Sequence, residues 1–280
     1  MRAFAPSYSR SIPRKSKEPL VDLSIPAKDF DSFGRRAFGL HHFRSDGEPR
    51  TILAAMFDLE GFTAFTDRRD PHLFVPQFVD WFLGWLFETV KSLTLERRAG
   101  DSVFLWSTLP FFAKYTGDGA LLLWDLDHPG LQQFCRRHHR DRDAEIHGDV
   151  GNIVSILYDT CRMYARDQLP ELKKHHPNPP RRLRCGVAQG QVSALAGGRD
   201  FVGACINLAS RVQKLGKLGF SILATGFDLS RVPAERLRDV LVKKRTQVRL
   251  SDQQTWELVY VIKSDFEALD PKDKADFVDP

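Results

Sequence analysis

The hydrophobic pattern is blank at first and then becomes regular from Thr51 onward. Ile52-Leu53-Ala54-Ala55-Met56-Phe57 is an unbroken apolar run, which predicts a buried strand over 51–57. Asp58 to Gly61 predicts the turn after it, and Phe62 opens a helical region. Phe78, Trp81, Phe82, Trp85, Leu86, Val90 and Leu93 recur at i, i+3, i+4 spacing, which predicts a long helix over 74–94. Strand signals follow over 104–106 and 111–115, flanking Pro110. Gly117-Asp118-Gly119 predicts a tight hairpin, with 120–124 as its return strand. Residues 127–149 are polar and charged and look like an insertion, and helical periodicity resumes over 153–166. Pro177 to Pro180 breaks the chain. Strands are predicted over 184–189 and 192–196, with turns at Gly190 and at Gly197-Gly198. A helix over 204–215 and late strands over 221–225 and 256–262 complete the pattern.

That order, strand, helix, hairpin, helix, strand, predicts an α+β fold. The expected architecture is a ferredoxin-like βαββαβ core with extra strands, an antiparallel sheet with helices on one face. One domain is expected over 51–262. Residues 1–50, rich in Pro, Ser, Lys and Arg, form an N-terminal extension, partly ordered by docking on the domain. Residues 263–280 form a C-terminal tail.

Composition narrows the class. The chain has 280 residues, 42% of them hydrophobic and 11% aromatic, enough for a large core. No run reaches the roughly 18 apolar residues of a membrane span. The N-terminus has no apolar stretch after its charge, so no secretory signal is expected. Cys135, Cys161, Cys185 and Cys205 have no C-x-x-C spacing, which suits free thiols in a cytoplasmic protein. The formal net charge is +5. Its dense patches, 136–140 and 181–184, read as solvated surface. Neither interleaves aromatics with cations as single-strand nucleic-acid binding requires, so no nucleic-acid partner is expected.

Two carboxylates stand out. Asp58 closes the first apolar run, and Asp118 sits at the hairpin tip. Taken singly, Asp58 can be a helix N-cap and Asp118 an ordinary turn residue. If the two strands are neighbours, both carboxylates meet at one edge of the sheet. Hard oxygen ligands beside a helix N-terminus suit a magnesium-triphosphate. Asn207 and Arg211 lie four apart on a predicted helix and so share one face.

Asp58-Leu59-Glu60-Gly61-Phe62-Thr63 resembles the first signature of class III nucleotidyl cyclases, D-x-x-G-F-T. Lys114-Tyr115-Thr116-Gly117-Asp118-Gly119 is similar to the second, K-x-x-G-D-G. Gly203-Ala204-Cys205-Ile206-Asn207-Leu208-Ala209-Ser210-Arg211 is similar to the third, G-x-x-[VI]-N-x-A-[AS]-R. All three stand in the family's order. The resemblance covers roughly 51–262 and leaves the N-terminal extension unexplained.

The resemblance implies cyclisation of a nucleoside triphosphate with loss of pyrophosphate. It implies two divalent metal ions, Mn²⁺ or Mg²⁺, held by the carboxylates of Asp58 and Asp118 and the backbone carbonyl of Leu59. The amides around Gly61, Phe62 and Thr63 would face the phosphates. Asn207 would position the ribose, and Arg211 would stabilise the transition state. Family members draw the metal ligands and the Asn/Arg pair from different subunits, so a homodimer with shared sites is implied. Lys114 and Asp200 occupy the base-reading positions, a pair that resembles adenylate cyclases and disfavours GTP. The lack of a sensor domain, the insertion and the aromatic residues Phe57, Phe62, Phe65 and Tyr115 look more like the pyrimidine cyclases of Pycsar antiphage systems. There a bulky Phe57 would shrink the base pocket toward UTP or CTP, with UTP favoured, and the product would act on a separate effector. Lys243, Lys244 and Arg245 are further positions to consider for the leaving pyrophosphate. The alternatives are an adenylate cyclase and a catalytically inactive cyclase-fold module.

Overall fold

The computed structural model describes residues 9–11, 22–34, 49–67, 74–195, 200–215, 217–232, 235–250 and 253–280. Its centre is a nine-stranded sheet. The strands are β1 (Arg50–Glu60), β2 (Phe112–Tyr115), β3 (Gly119–Asp125), β4 (Arg182–Leu195), β5 (Asp200–Val202), β6 (Phe220–Leu223), β7 (Leu241–Leu250), β8 (Gln253–Ile262) and β9 (Phe277–Val278). The spatial order is β9-β7-β8-β6-β4-β1-β3-β2, with β5 paired to β4. The block β4-β1-β3-β2 is antiparallel throughout and is the ferredoxin-like core the pattern predicts. Beyond it, β6 runs parallel to β4 and β8 antiparallel to β6.

The helices that position the site are α1 (Phe62–Thr66), α2 (Phe74–Thr94), α3 (Pro129–His138), α4 (Arg142–Met163), α5 (Leu169–His175) and α6 (Ala204–Val212). Strand alternation divides the core. Leu53, Ala55, Phe57 and Leu59 of β1 pack with α2 and α4 on one face. Ile52, Ala54 and Met56 pack with Cys205, Ala209 and Val212 of α6 on the other. The expected one-sided helical layer is therefore corrected: α6 covers the opposite face. Its close approach is permitted by glycines on β4. A Cβ on Gly186 would stand 2.1 Å from the Ala209 carbonyl oxygen, and one on Gly190 would stand 2.9 Å from Cys205 Cβ. Gly190 thus serves packing, not a turn, and β4 runs unbroken through it. The Gly197-Gly198 turn lies outside the described residues.

Three further expectations change. The strand over 51–57 continues through Asp58 to Glu60, and the turn falls at Gly61, whose φ is +88°. The polar stretch 127–149 is helical: Leu131, Phe134 and Cys135 of α3 form a small cluster of their own against Ile146. Asp141 caps α4 by accepting a hydrogen bond from the Ala144 amide at 2.8 Å. Residues 263–280 fold back as two short helices, Lys263–Glu267 and Pro271–Lys274, ending in β9 against β7.

Within the N-terminal part, Asp22–Pro26 joins a four-stranded sheet with Ser9–Ser11, Leu95–Ala99 and Ser102–Leu105. Leu23, Ile25, Phe30 and Phe33 are buried in the main core. Among the described residues no helix is long and apolar enough to cross a membrane. All four cysteines are buried free thiols.

Candidate functional site

The pairing register brings the two carboxylates together. Asp58 stands opposite Gly119, one residue from Asp118. The Leu59 amide donates to the Asp118 carbonyl at 2.9 Å, which ties the hairpin tip to the end of β1. Glycine is required here twice. Gly117 has φ +97°, and a Cβ on Gly119 would stand 1.8 Å from the Phe57 carbonyl oxygen. The Tyr115 hydroxyl closes the tip by donating to the Gly117 carbonyl. A residue in an antiparallel ladder turns its N–H and C=O to the same neighbour, so the Leu59 carbonyl also faces the tip.

Asp58 is only 6% exposed. Burial, then the charge of Asp58 and a hydrogen bond to it, push the Asp118 carboxyl above its ordinary value, while Lys214 opposes the shift. Burial first, and then Asp118, raise the Tyr115 phenol. Two carboxylates in contact with a carbonyl beside them form a hard-oxygen donor set with surplus negative charge, and a divalent cation fits it. Among the described residues no group of three or more His, Cys, Asp or Glu side chains forms a metal cluster, so the backbone carbonyl would be needed.

Arg184 is a site residue that the sequence reading left in a solvated patch. It stands opposite Asp58 on β4. Its Nε donates to Asp58 Oδ2 at 2.9 Å, and its Nη2 donates to the same oxygen. Its side chain is 19% exposed, and it belongs to the carboxylate edge. Next to it, Arg181 and Arg182 approach Glu60 at 3.5 and 3.8 Å. The signal that could have found Arg184 is cross-strand register, which one strand alone does not carry.

Lys114 and Asp200 meet in an ion pair, far apart in sequence as they are. Lys114 stands opposite Leu121, which stands opposite Met56, so it occupies the same sheet face as Asp58. Asp200 arrives on β5, which is held there by Phe201 packing edge-on against Phe111 and Phe112, with ring centroids 5.4 and 4.9 Å apart.

Other expected residues separate. Phe57 lies on the opposite face from Asp58, fully buried between β1 and the α2/α4 layer. The expectation that it bounds a base pocket is corrected: strand alternation points it into the core. Phe62 and Phe65 are buried with it and pack on Phe78, so they form no aromatic rim. Gly61 and Thr63 are exposed at the start of α1, and the first-turn amides of Phe62 and Thr63 lack intrahelical partners. Asn207 is exposed and Arg211 half-buried, on the outer side of α6 away from the sheet-facing Cys205, Ala209 and Val212. Among the described residues neither side chain has a hydrogen-bond or ion-pair partner. Lys243, Lys244 and Arg245 lie on β7, four strands from β1, and do not join the carboxylates within one chain.

No family model matches the sequence, and no curated protein does. Solved structures similar to the chain include the guanylyl cyclase Cya2. It is 17% identical, covering 77% of this chain and 93% of its own, with a TM-score of 0.47. Another is the catalytic core of a rhodopsin-guanylyl cyclase with converted specificity in complex with ATPαS, 14% identical over 78% and 99% of the two chains, TM-score 0.45. A third is an adenylate/guanylate cyclase/hydrolase from Silicibacter pomeroyi, 15% identical over 77% and 97%, TM-score 0.41. At these scores the likeness assigns no family.

Proposed function

We propose that the chain is a nucleotidyl cyclase whose active sites form between two copies of it. The observation that carries this reading is the meeting of Asp58 and Asp118 at one sheet edge. On the same chain, Asn207 and Arg211 project from the outer side of α6. A ribose-positioning amide and a phosphate-binding guanidinium that turn away from the sheet serve a site that a second copy completes.

Asp58, Asp118 and the Leu59 carbonyl would hold the divalent cations, Mn²⁺ or Mg²⁺. Bound there, the cations would neutralise the triphosphate and acidify the attacking 3′-hydroxyl. The amides around Gly61, Phe62 and Thr63 would receive phosphate oxygens. Arg184 would exchange Asp58 for a phosphate when a cation takes the carboxylate. Arg211 from the partner copy would stabilise charge developing at the α-phosphorus, and Asn207 would fix the ribose so that its 3′-oxygen lies in line.

Lys114 and Asp200 offer a donor beside an acceptor to one edge of the base. Uracil meets such a pair with O4 and N3–H, and cytosine or adenine with a ring nitrogen and an amine. The preference for a pyrimidine by size depended on Phe57 and falls with it. UTP or CTP, an antiphage role and a separate effector therefore stand as the narrower reading, with ATP the alternative on the same pair.

The test is to offer the full chain ATP, GTP, CTP and UTP singly with Mn²⁺ and to identify products by mass. A 3′,5′-cyclic product with equimolar pyrophosphate supports the cyclase. Cyclic UMP or cyclic CMP selects the narrower reading and cyclic AMP the alternative. No cyclic product from any of the four overturns the cyclase reading in favour of an inactive module.

A further inference from the structure

The stretch 231–249 carries seven lysines and arginines against two acids, and the carboxylate edge uses none of them. Its strand, β7, pairs with β8 so that Lys243 stands opposite Tyr260, Arg245 opposite Leu258 and Gln247 opposite Trp256. Directly opposed residues share a sheet face. One row of that face is therefore Lys243, Arg245 and Gln247, and the next is Tyr260, Leu258 and Trp256.

This face is open. Trp256 is 46% exposed, and Lys243, Arg245 and Gln247 are all exposed. Val278 of β9 stands opposite Arg245 and is 42% exposed, which extends the face to the sheet edge. The Arg245 guanidinium lies 5.6 Å from the centre of the Trp256 ring, and Lys243 Nζ lies 5.7 Å from that of Tyr260. Among the described residues neither cation has a carboxylate within ion-pair distance. On the other face of the same strand, Lys244 is paired with Asp279. Asp228 acts on this side too, its carboxyl lowered mainly by hydrogen bonds from Ser230 and least by Lys243.

We propose that this face of β7 and β8 binds single-stranded nucleic acid. Uncommitted cations spaced two residues apart along a strand suit successive phosphates. An exposed indole beside them offers a stacking platform to a base, whatever its identity. An exposed sheet face suits an unpaired strand better than a duplex, whose bases are stacked inward. The aromatic interleaving missing from each basic run is supplied across strands, by the register. RNA and DNA share this chemistry.

The experiment is fluorescence anisotropy of the full chain with labelled 20-mers of oligo-dT, oligo-U and a mixed-sequence duplex, over a salt series. Expected is salt-dependent binding of the single strands, weaker on the duplex. Trp256→Ala is expected to weaken it about tenfold and Trp256→Phe to keep most of it. Lys243→Gln and Arg245→Gln are each expected to reduce the salt slope by about 0.7. A stronger response to oligo-U than to oligo-dT assigns the surface to RNA, and the reverse assigns it to DNA. No binding at low salt, equal binding by Arg245→Gln and Trp256→Ala, or preference for the duplex overturns the proposal. Thermal melting of each variant separates lost binding from lost fold.

Discussion

Asp118 and Gly119 show how closely the local chain is specified around the candidate site. A methyl group on Gly119 would collide with the backbone of Phe57, not with a yielding side chain. Gly119→Ala is expected to cost on the order of 3 kcal/mol and to push the hairpin off β1, read as a lower melting temperature and lost turnover together. Asp118→Asn keeps the shape and removes the charge. It is expected to melt like the parent chain, because Arg184 pairs with Asp58, and among the described residues Asp118 has no ion pair to lose. It is also expected to reduce cyclase turnover below detection, and an active Asp118→Asn chain would sink the metal assignment. Phe57→Ala is expected to lose about 3–5 kcal/mol of stability and to leave base preference unchanged, since the ring fills the α2/α4 core and not the Asp58 face. A changed preference with stability retained would return Phe57 to the pocket.

At the scale of elements, the proposed two-copy site turns on α6. It lies on β4 through Gly186 and Gly190, with Asn207 and Arg211 turned outward. Arg211→Ala is expected to lower turnover by about 10²–10³-fold without loss of stability. Mixed with Asp58→Ala, itself inactive, it is expected to recover about one quarter of parent activity, because half the random dimers are mixed and each holds one intact site. Failure to recover would place both halves of the site in one chain. Gly186→Ala drives a methyl into the Ala209 carbonyl and the Gln213 amide. Displacing α6 from the sheet in this way is expected to lower both stability and activity, in contrast to Arg211→Ala.

On the scale of the whole molecule, the two charged regions sit far apart in the sheet. The carboxylate edge occupies β1 and the hairpin, while the cation-aromatic face occupies β7 and β8 beyond β4 and β6. Single-strand binding at the second is expected to survive Asp58→Ala, measured by the same anisotropy titration. The ferredoxin-like order of strands, the long helix over 74–94, the hairpin at Asp118 and the identity of the polar candidates are all legible in the chain before it folds. These are local properties, written in apolar periodicity and in glycine spacing, and they need no knowledge of distant neighbours. Which face each residue serves is set by packing and strand register. A strand alternates its side chains, so Phe57 and Asp58, adjacent in sequence, point to opposite sides of the sheet. Register paired Arg184 with Asp58 across 126 positions and brought Lys114 to Asp200 across 86. It also set Trp256 beside Arg245. Gly190 looked like a turn because a glycine's freedom and a glycine's smallness leave the same letter in the sequence, and only the helix packed against it tells the two apart.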